Sequence, residues 1–283
     1  MKTFNTIVFI FFSLVACGQT CMPPHAGNFL AREQAAGVQI NAKDLALMIG
    51  MDAHLCGSSD GTGLYVRSID SLPVLDIMYG STSTSQQFNF ISSSYSITYY
   101  GSPTINSTGV TFNGTTNYAS TNFNPFNPGI IQDTVMGIGL YIRNARASSS
   151  SAIDMGGTEA TGSLGSFLQV YTPTCYFAAS SPYSSTTSTS SKGYWFAQRI
   201  NQTQVQIDLN GVLKSTFANT YNSSDLLAKT TFIGCDNANG MPAFYAPDNV
   251  GSAWITAGGM PLAMRQSLYN AIKYFNQHQN IPR

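Results

Sequence analysis

The chain has 283 residues, only 9% of them charged, and a formal net charge of zero. It therefore lacks the basic footprint that would follow a nucleic-acid backbone or hold to an anionic membrane surface. Disorder is excluded as well, because 43% hydrophobic and 12% aromatic residues supply enough apolar surface to offset the entropy of ordering. The length suits one large domain in preference to two small ones.

In chain order, Met1-Lys2-Thr3, the apolar run Ile7-Val8-Phe9-Ile10-Phe11-Phe12 and the small residues around Ala16-Cys17-Gly18 follow the charge, apolar core and cleavage-site order of a secretory signal. The run is shorter than the ~20 residues a spanning helix needs, so residues 1–18 read as a segment removed on export. Leu14-Val15-Ala16-Cys17 resembles a bacterial lipobox, in which cleavage leaves a lipidated Cys17. Cleavage after Gly18, leaving Gln19 first, meets the same small-residue rule. The expected location is the outer membrane or cell surface, with a secreted protein as the alternative, and membrane contact only through an N-terminal lipid.

Either cut leaves Cys21, Cys56, Cys175 and Cys235, an even number that in an oxidising compartment allows two disulfides in three pairings. Cys175 and Cys235 fall in strand-like segments while Cys21 and Cys56 flank the N-terminal region, which favours 175 with 235 and 21 with 56. Zinc is disfavoured, since no C-x-x-C occurs and His25, His54 and His278 are scattered.

Residues 19–62 form a lead-in, with one or two short helices expected over 28–50. From 63 to 283 the texture is that of one mostly β domain. Short β-rich runs at 64–67, 74–77, 97–100, 110–112, 134–142, 167–171, 194–200, 205–209 and 230–233 alternate with Gly, Asn, Pro and Ser, the pattern of an antiparallel sandwich or barrel. Asn113-Gly114 and Asn210-Gly211 tolerate positive φ between such runs and predict hairpins. Val205, Ile207 and Leu209 alternate with polar residues, as a strand with one buried face does. The Ser/Thr-rich stretches 148–151 and 180–191 read as exposed loops. Pro261 after Gly258-Gly259, with Leu262, Leu268, Ile272 and Phe275 near helical spacing, predicts a C-terminal helix over 261–277 on the sandwich edge.

The run Ser107-Thr108-Gly109-Val110-Thr111-Phe112-Asn113-Gly114-Thr115-Thr116-Asn117-Tyr118-Ala119 resembles a strand, turn and strand of concanavalin A-like lectin/glucanase domains, particularly the laminin G-like ones. Residues 139–143, 206–211, 253–259 and the helix around Leu268-Tyr269-Asn270-Ala271-Ile272 fit the same order, so the resemblance spans about 63–277. It implies a jelly-roll β-sandwich. Activity does not follow, because such a fold hosts lectins, hydrolases and spacers.

Glycosidase chemistry needs two carboxylates facing the scissile bond. The glucanases of the resembled fold carry a Glu-x-Asp-x-x-Glu cluster, whereas this chain has two glutamates, Glu33 and Glu159, in no such cluster. Gly57-Ser58-Ser59-Asp60-Gly61 matches G-x-S-x-G but leads into the strand-like Gly63-Leu64-Tyr65-Val66 where a nucleophile elbow would lead into a helix. No enzymatic activity is expected.

Sugar binding asks for less: an apolar ring face beside hydroxyl and amide groups. Asp236-Asn237-Ala238-Asn239-Gly240, with Tyr245 nearby, is the favoured loop, and Tyr183 is a further stacking candidate. The same Asp236, Asn237 and Asn239 oxygens could hold calcium, as in many relatives of the resembled fold, although their spacing is not that of an EF-hand. They could equally form an Asx-turn with no ligand. Trp195 and Trp254 read as core. Asn106, Asn113, Asn201 and Asn222 satisfy N-x-S/T, and Asp70-Ser71-Leu72 and Asp133-Thr134-Val135 resemble an O-glycosylation motif of Bacteroidetes exported proteins. The expected function is non-catalytic glycan or surface-polysaccharide binding. The alternative is a structural or adhesive component that contacts itself or other surface proteins.

Overall fold

A computed structural model describes residues 24–56, 58–59, 65–66, 72–125, 135–146, 152–158, 165–179, 183–220 and 229–278. The export signal, Cys17, Cys21, Glu159, Asn222, the serine run 148–151 and most of the two O-glycosylation-like motifs lie outside them. So does the Cys56 side chain.

The chain opens with two helices, α1 (Pro24–Ala35) and α2 (Ala42–Cys56). The first strands are β1 (Ser58–Ser59), β2 (Tyr65–Val66), β3 (Val74–Asp76), β4 (Thr98–Tyr100), β5 (Thr104–Asn106), β6 (Gly109–Thr111) and β7 (Tyr118–Ser120). Longer ones follow: β8 (Met136–Ile142), β9 (Met155–Thr158), β10 (Gly165–Tyr171), β11 (Thr174–Ala179), β12 (Ser184–Thr187), β13 (Gly193–Asn201), β14 (Gln204–Leu209) and β15 (Val212–Ala218). Then come β16 (Phe232–Ile233), β17 (Asp236–Ala238), β18 (Met241–Ala243), β19 (Asn249–Thr256) and the closing helix α3 (Leu262–His278).

Both N-terminal helices carry local stop and start chemistry. Gly37, at φ 84°, ends α1 with Val38 N donating to Glu33 O at 3.0 Å, a Schellman closure. Asn41 Oδ1 accepts from Lys43 N and Asp44 N at 2.9 Å each, and Asp44 Oδ2 accepts from Asn41 N at 3.2 Å, a reciprocal cap for α2. Asp52 of α2 in turn accepts from Ala26 N at 3.0 Å, tying the two helices together.

Two sheets form the body of the protein. One runs β12-β11-β10-β9-β16-β7-β4, with β17 and β18 attached beside β9. The other runs β15-β14-β13-β8-β19-β6-β5, with β3 on β19. Within the described residues every named strand pair is antiparallel except β17 with β9. The sheets are glued face to face by Leu140, Trp195, Ile207 and Ile255 from one and Leu168, Val170, Phe177 and Ile233 from the other, because alternate residues of a strand point to one side. The expected mostly β sandwich is what the chain forms.

A second apolar layer lies on the far face of the eight-stranded sheet. There Tyr194, Phe196 and Trp254 are covered by Phe29, Met48, Met51, Leu268, Ile272 and Phe275 of the three helices. Bare backbone makes room for the indole, since a Cβ on Gly139 would stand 2.2 Å from Trp254. Both tryptophans are buried, as expected, but in different cores. The C-terminal helix begins after Pro261, whose carbonyl accepts from Arg265 N at 3.1 Å, close to the expected 261–277. It packs across a sheet face instead of an edge, because three helices together cover the apolar outer residues of β13 and β19.

Four local expectations are corrected. Asn210-Gly211 makes the β14–β15 hairpin with φ of 54° and 74°. Asn113-Gly114, by contrast, joins β6 and β7, which lie in different sheets, so its turn is a corner and not a hairpin. Asn113 Oδ1 accepts there from the backbone N–H groups of Thr115, Thr116 and Asn117. Within the 180–191 loop, residues 184–187 are the edge strand β12, which is held by backbone hydrogen bonds and needs little apolar burial on its outer side. The 236–240 loop is the β17–β18 hairpin. Finally, Cys175 and Cys235 are free, buried thiols. Cys175 sits on β11, with β10 and β9 between it and β16, and strands about 4.8 Å apart put three such steps far beyond the Cα separation a disulfide bridges.

Charge is buried where the two sheets meet. Arg146 Nη2 donates to both oxygens of Asp154, at 3.0 and 2.9 Å, and to Val170 O, while Arg146 Nη1 is 3.1 Å from Asp248 Oδ2. Asp154 Oδ2 also accepts from Val170 N at 2.5 Å. Burial first, and then the neighbouring Asp248, push the Asp154 carboxyl well above its ordinary range against the pull of Arg146. A second pair, Arg265 Nε to Asp208 Oδ2 at 2.5 Å, fastens α3 to β14.

Candidate functional site

Among the described residues, the helices cover one outer face of the sandwich and the other presents the nine-stranded sheet's own side chains. Its register settles which residues share that face. Tyr100 stands opposite Tyr118, Ser120 opposite Phe232, Phe232 opposite Gly156, Gly156 opposite Phe167, and Gln169 opposite Tyr176. The intervening Tyr99, Ala119, Ile233, Met155, Leu168 and Phe177 point into the core. Polar and aromatic residues therefore alternate outward while aliphatic ones alternate inward.

The outward rings gather into two groups. Tyr100 stacks on Tyr118 with centroids 4.7 Å apart and planes 9° from parallel. Tyr118 also meets Phe232 at 4.7 Å and Tyr245 edge-on at 6.3 Å. Toward the β12 edge, Tyr176 contacts Tyr171 at 5.9 Å and Tyr183 at 5.5 Å. Between the groups Phe167, Ala178 and Ile153 form a small apolar cluster with Tyr176 and Phe244 at its margin. Tyr100 is 43% exposed and Tyr183 61%, so each group presents at least one open ring. Burial, followed by Tyr100, Cys235 and Tyr245, raises the Tyr118 hydroxyl above its ordinary pKa.

The sequence-predicted residues are distributed unevenly around this face. Tyr245 belongs to the first aromatic group and Tyr183 to the second. Asn239 is exposed at the β17–β18 turn, with φ 53°. Asp236 and Asn237, expected as ligand contacts, are buried. Asp236 Oδ2 accepts from Thr158 Oγ1, and burial pushes its carboxyl up to about 6 against that hydrogen bond and one from the Asn237 backbone. Asn237 Oδ1 accepts from Gly240 N at 2.7 Å while its Nδ2 donates to Thr230 O at 2.8 Å, so the side chain is spent on shaping the turn.

Those three residues do not fit a calcium ion. Asp236 and Asn237 are neighbours on a strand and point to opposite sides, and the Asn237 oxygen is already engaged, whereas calcium needs six or more converging oxygens. Among the described residues no group of three His, Cys, Asp or Glu side chains gathers. Tyr100, Tyr118, Phe232 and Tyr176, which share this face, were not singled out from the sequence. The available signal was strand alternation, but it does not say which of Tyr99 and Tyr100 faces out.

No family model and no curated protein matches the sequence. Solved structures do match. The crystal structure of the botulinum neurotoxin serotype C1 binding domain is similar at 12% identity and TM-score 0.52 over 72% of this chain and 53% of that one. The likeness is one of fold. Another match, at TM-score 0.49 and 12% identity, carries a title stating that cell entry of botulinum neurotoxin type C depends on interaction with two ganglioside molecules. It covers 72% of this chain and 52% of that one. A mutant sialidase of Trypanosoma rangeli matches at TM-score 0.49 and 12% identity, over 83% of this chain and 40% of the sialidase. The chain thus spans about half or less of the length of these proteins.

Proposed function

We propose that the chain is a non-catalytic carbohydrate-binding protein, lectin-like in the laminin G manner, and that it holds saccharide on the open face of the nine-stranded sheet. The Tyr100–Tyr118 stack carries this reading. It is a solvent-facing aromatic surface with exposed Thr98 and Asn122 at its margin, where Asn122 Nδ2 donates to Ser96 O and Thr98 Oγ1. The C–H faces of a sugar ring pack on such a surface while its hydroxyls reach the polar rim. The fold likeness to a toxin binding domain is in keeping with it, and the Asp154–Asp248 carboxylate pair, closed off around Arg146, gives no support to hydrolysis.

The test is a broad glycan array followed by titration of the best binder. Tyr100→Ala, at an exposed position, is expected to weaken binding about tenfold, and Tyr118→Ala by at least as much. An array without any binder would overturn the proposal. A second reading, adhesion through protein contacts, is favoured by β15, an edge strand that exposes Val212 and Leu213 and is open to pairing with another chain. Regular assemblies seen by electron microscopy in the absence of sugar affinity would replace the first reading with this one.

We propose in addition that the protein is exported and lipidated at Cys17. Intact mass of the mature protein is expected to equal the chain from Cys17 plus acyl groups. A mass starting at Gln19 would mean a secreted form, and one including Met1 would end the export reading.

A further inference from the structure

A concavity of about 390 Å³ lies on the helical side of the molecule, where α3 crosses the end of β8 and β13 and the β14–β15 turn. Tyr141, Tyr269, Lys192, Lys273, Asn210 and Gln277 are among its walls. The volume is within the range of small-ligand sites, about 300–1,000 Å³.

Its shape is fixed from below. Tyr269 rests against the Asn210–Gly211 turn so closely that a Cβ on Gly211 would meet its ring at 2.5 Å. The same ring packs edge-on against buried Tyr194 at 5.2 Å, which is stacked on Trp254 at 4.5 Å. Asn210 Oδ1 accepts from Tyr194 N at 3.0 Å, which orients the amide. Lys273 Nζ stands 5.6 Å from the centre of the Tyr269 ring, within cation–π reach.

Charge then decides the ligand class. The chain has six lysines, and two of them, Lys192 and Lys273, flank this one concavity, with no Asp or Glu among its described walls. A pair of exposed ammonium groups beside rigid tyrosine rings and side-chain amides matches a sugar ring that carries a negative charge. We propose that this groove is a second saccharide site, selective for sugars bearing a carboxylate, with the ring against tyrosine and the carboxylate against Lys192 and Lys273. It is separate from the tyrosine face of the nine-stranded sheet and does not depend on it.

The test uses the full chain and matched pairs of probes: sialyllactose against lactose, and oligogalacturonate against its methyl ester. Each acidic probe class that binds should bind about tenfold or more tightly than its neutral partner. Raising salt from 50 to 500 mM should weaken it, because the contact is screened. Lys192→Gln with Lys273→Gln, both at exposed positions and expected to leave the melting temperature unchanged, should remove the preference, and Tyr100→Ala should leave it intact. Three results would overturn the proposal: no acidic probe binds, acidic and neutral partners bind equally, or the preference survives in the double lysine variant. If Tyr100→Ala abolishes acidic binding while the lysine variant retains it, the sugar sits on the sheet face and the groove is not its site.

Discussion

Arg146→Met is expected to destabilise the chain by about 3–5 kcal/mol, the cost of leaving buried carboxylates without their counter-charge. Arg146 is the guanidinium that faces both Asp154 and Asp248, and all three residues are buried. The cluster binds the two sheets together, because Arg146 follows β8, Asp248 precedes β19, and Asp154 and Val170 belong to the β9 and β10 side. Burial first, and then the second carboxyl that one guanidinium cannot fully balance, push Asp154 toward its protonated form. Asp154→Asn is accordingly expected to cost less than Arg146→Met and to recover part of the loss when combined with it. Urea denaturation at neutral pH measures all three variants. A midpoint for Arg146→Met equal to that of the parent would show that the cluster does not hold the sheets.

Stability is expected to rise on acidification from pH 8 to pH 5. Glu33 on α1 is buried with neither carboxyl oxygen hydrogen-bonded, and desolvation, partly offset by Arg32, pushes its carboxyl from an ordinary 4.5 to about 8. Between those values the folded chain holds a proton that the unfolded chain has released, so stability falls as pH rises through the window. The penalty is absent below about 4.5 and complete above about 8. Asp236, raised from 3.8 to about 6, acts with the same sign over a lower window. Asp76, buried with neither carboxyl oxygen hydrogen-bonded, is shifted in the same direction by desolvation. At about 1.4 kcal/mol per pKa unit the Glu33 contribution is on the order of several kcal/mol. Glu33→Gln, which keeps the shape and removes the titration, should make the profile between pH 5 and 8 shallower, with the remaining slope coming from Asp76, Asp154 and Asp236. A parent whose denaturation midpoint is level or rising across that range would rule out a neutral Glu33.

What could be read from the sequence was the part decided locally. Val205, Ile207 and Leu209 alternate, Asn210-Gly211 adopts the two positive φ angles its chemistry permits, and β14 and β15 follow directly. Asn113-Gly114 carries the same dipeptide, yet its turn leads into the opposite sheet. That choice rests on where β7 finds β16, over 100 residues later. The cysteines failed for a related reason. Cys175 and Cys235 both lie in or beside strands, but only the order β11-β10-β9-β16 reveals how far apart they are. Tyr245 and Tyr183 were singled out as aromatic residues near polar loops, and both join aromatic groups. Tyr100 and Tyr118 were hidden because register alone turns them outward. The lysine-flanked groove draws on residues from 141 to 277 and has no signature in any short window.

The helical layer also gives the molecule two unlike sides. Phe29 and Leu30 of α1 lie in the roof of the eight-stranded sheet, whereas the Tyr100–Tyr118 stack lies on the nine-stranded sheet. If the lipid proposed at Cys17 is present, the pull of a tether is therefore expected to enter through the helical side, which leaves the stacked tyrosine pair on the opposite one.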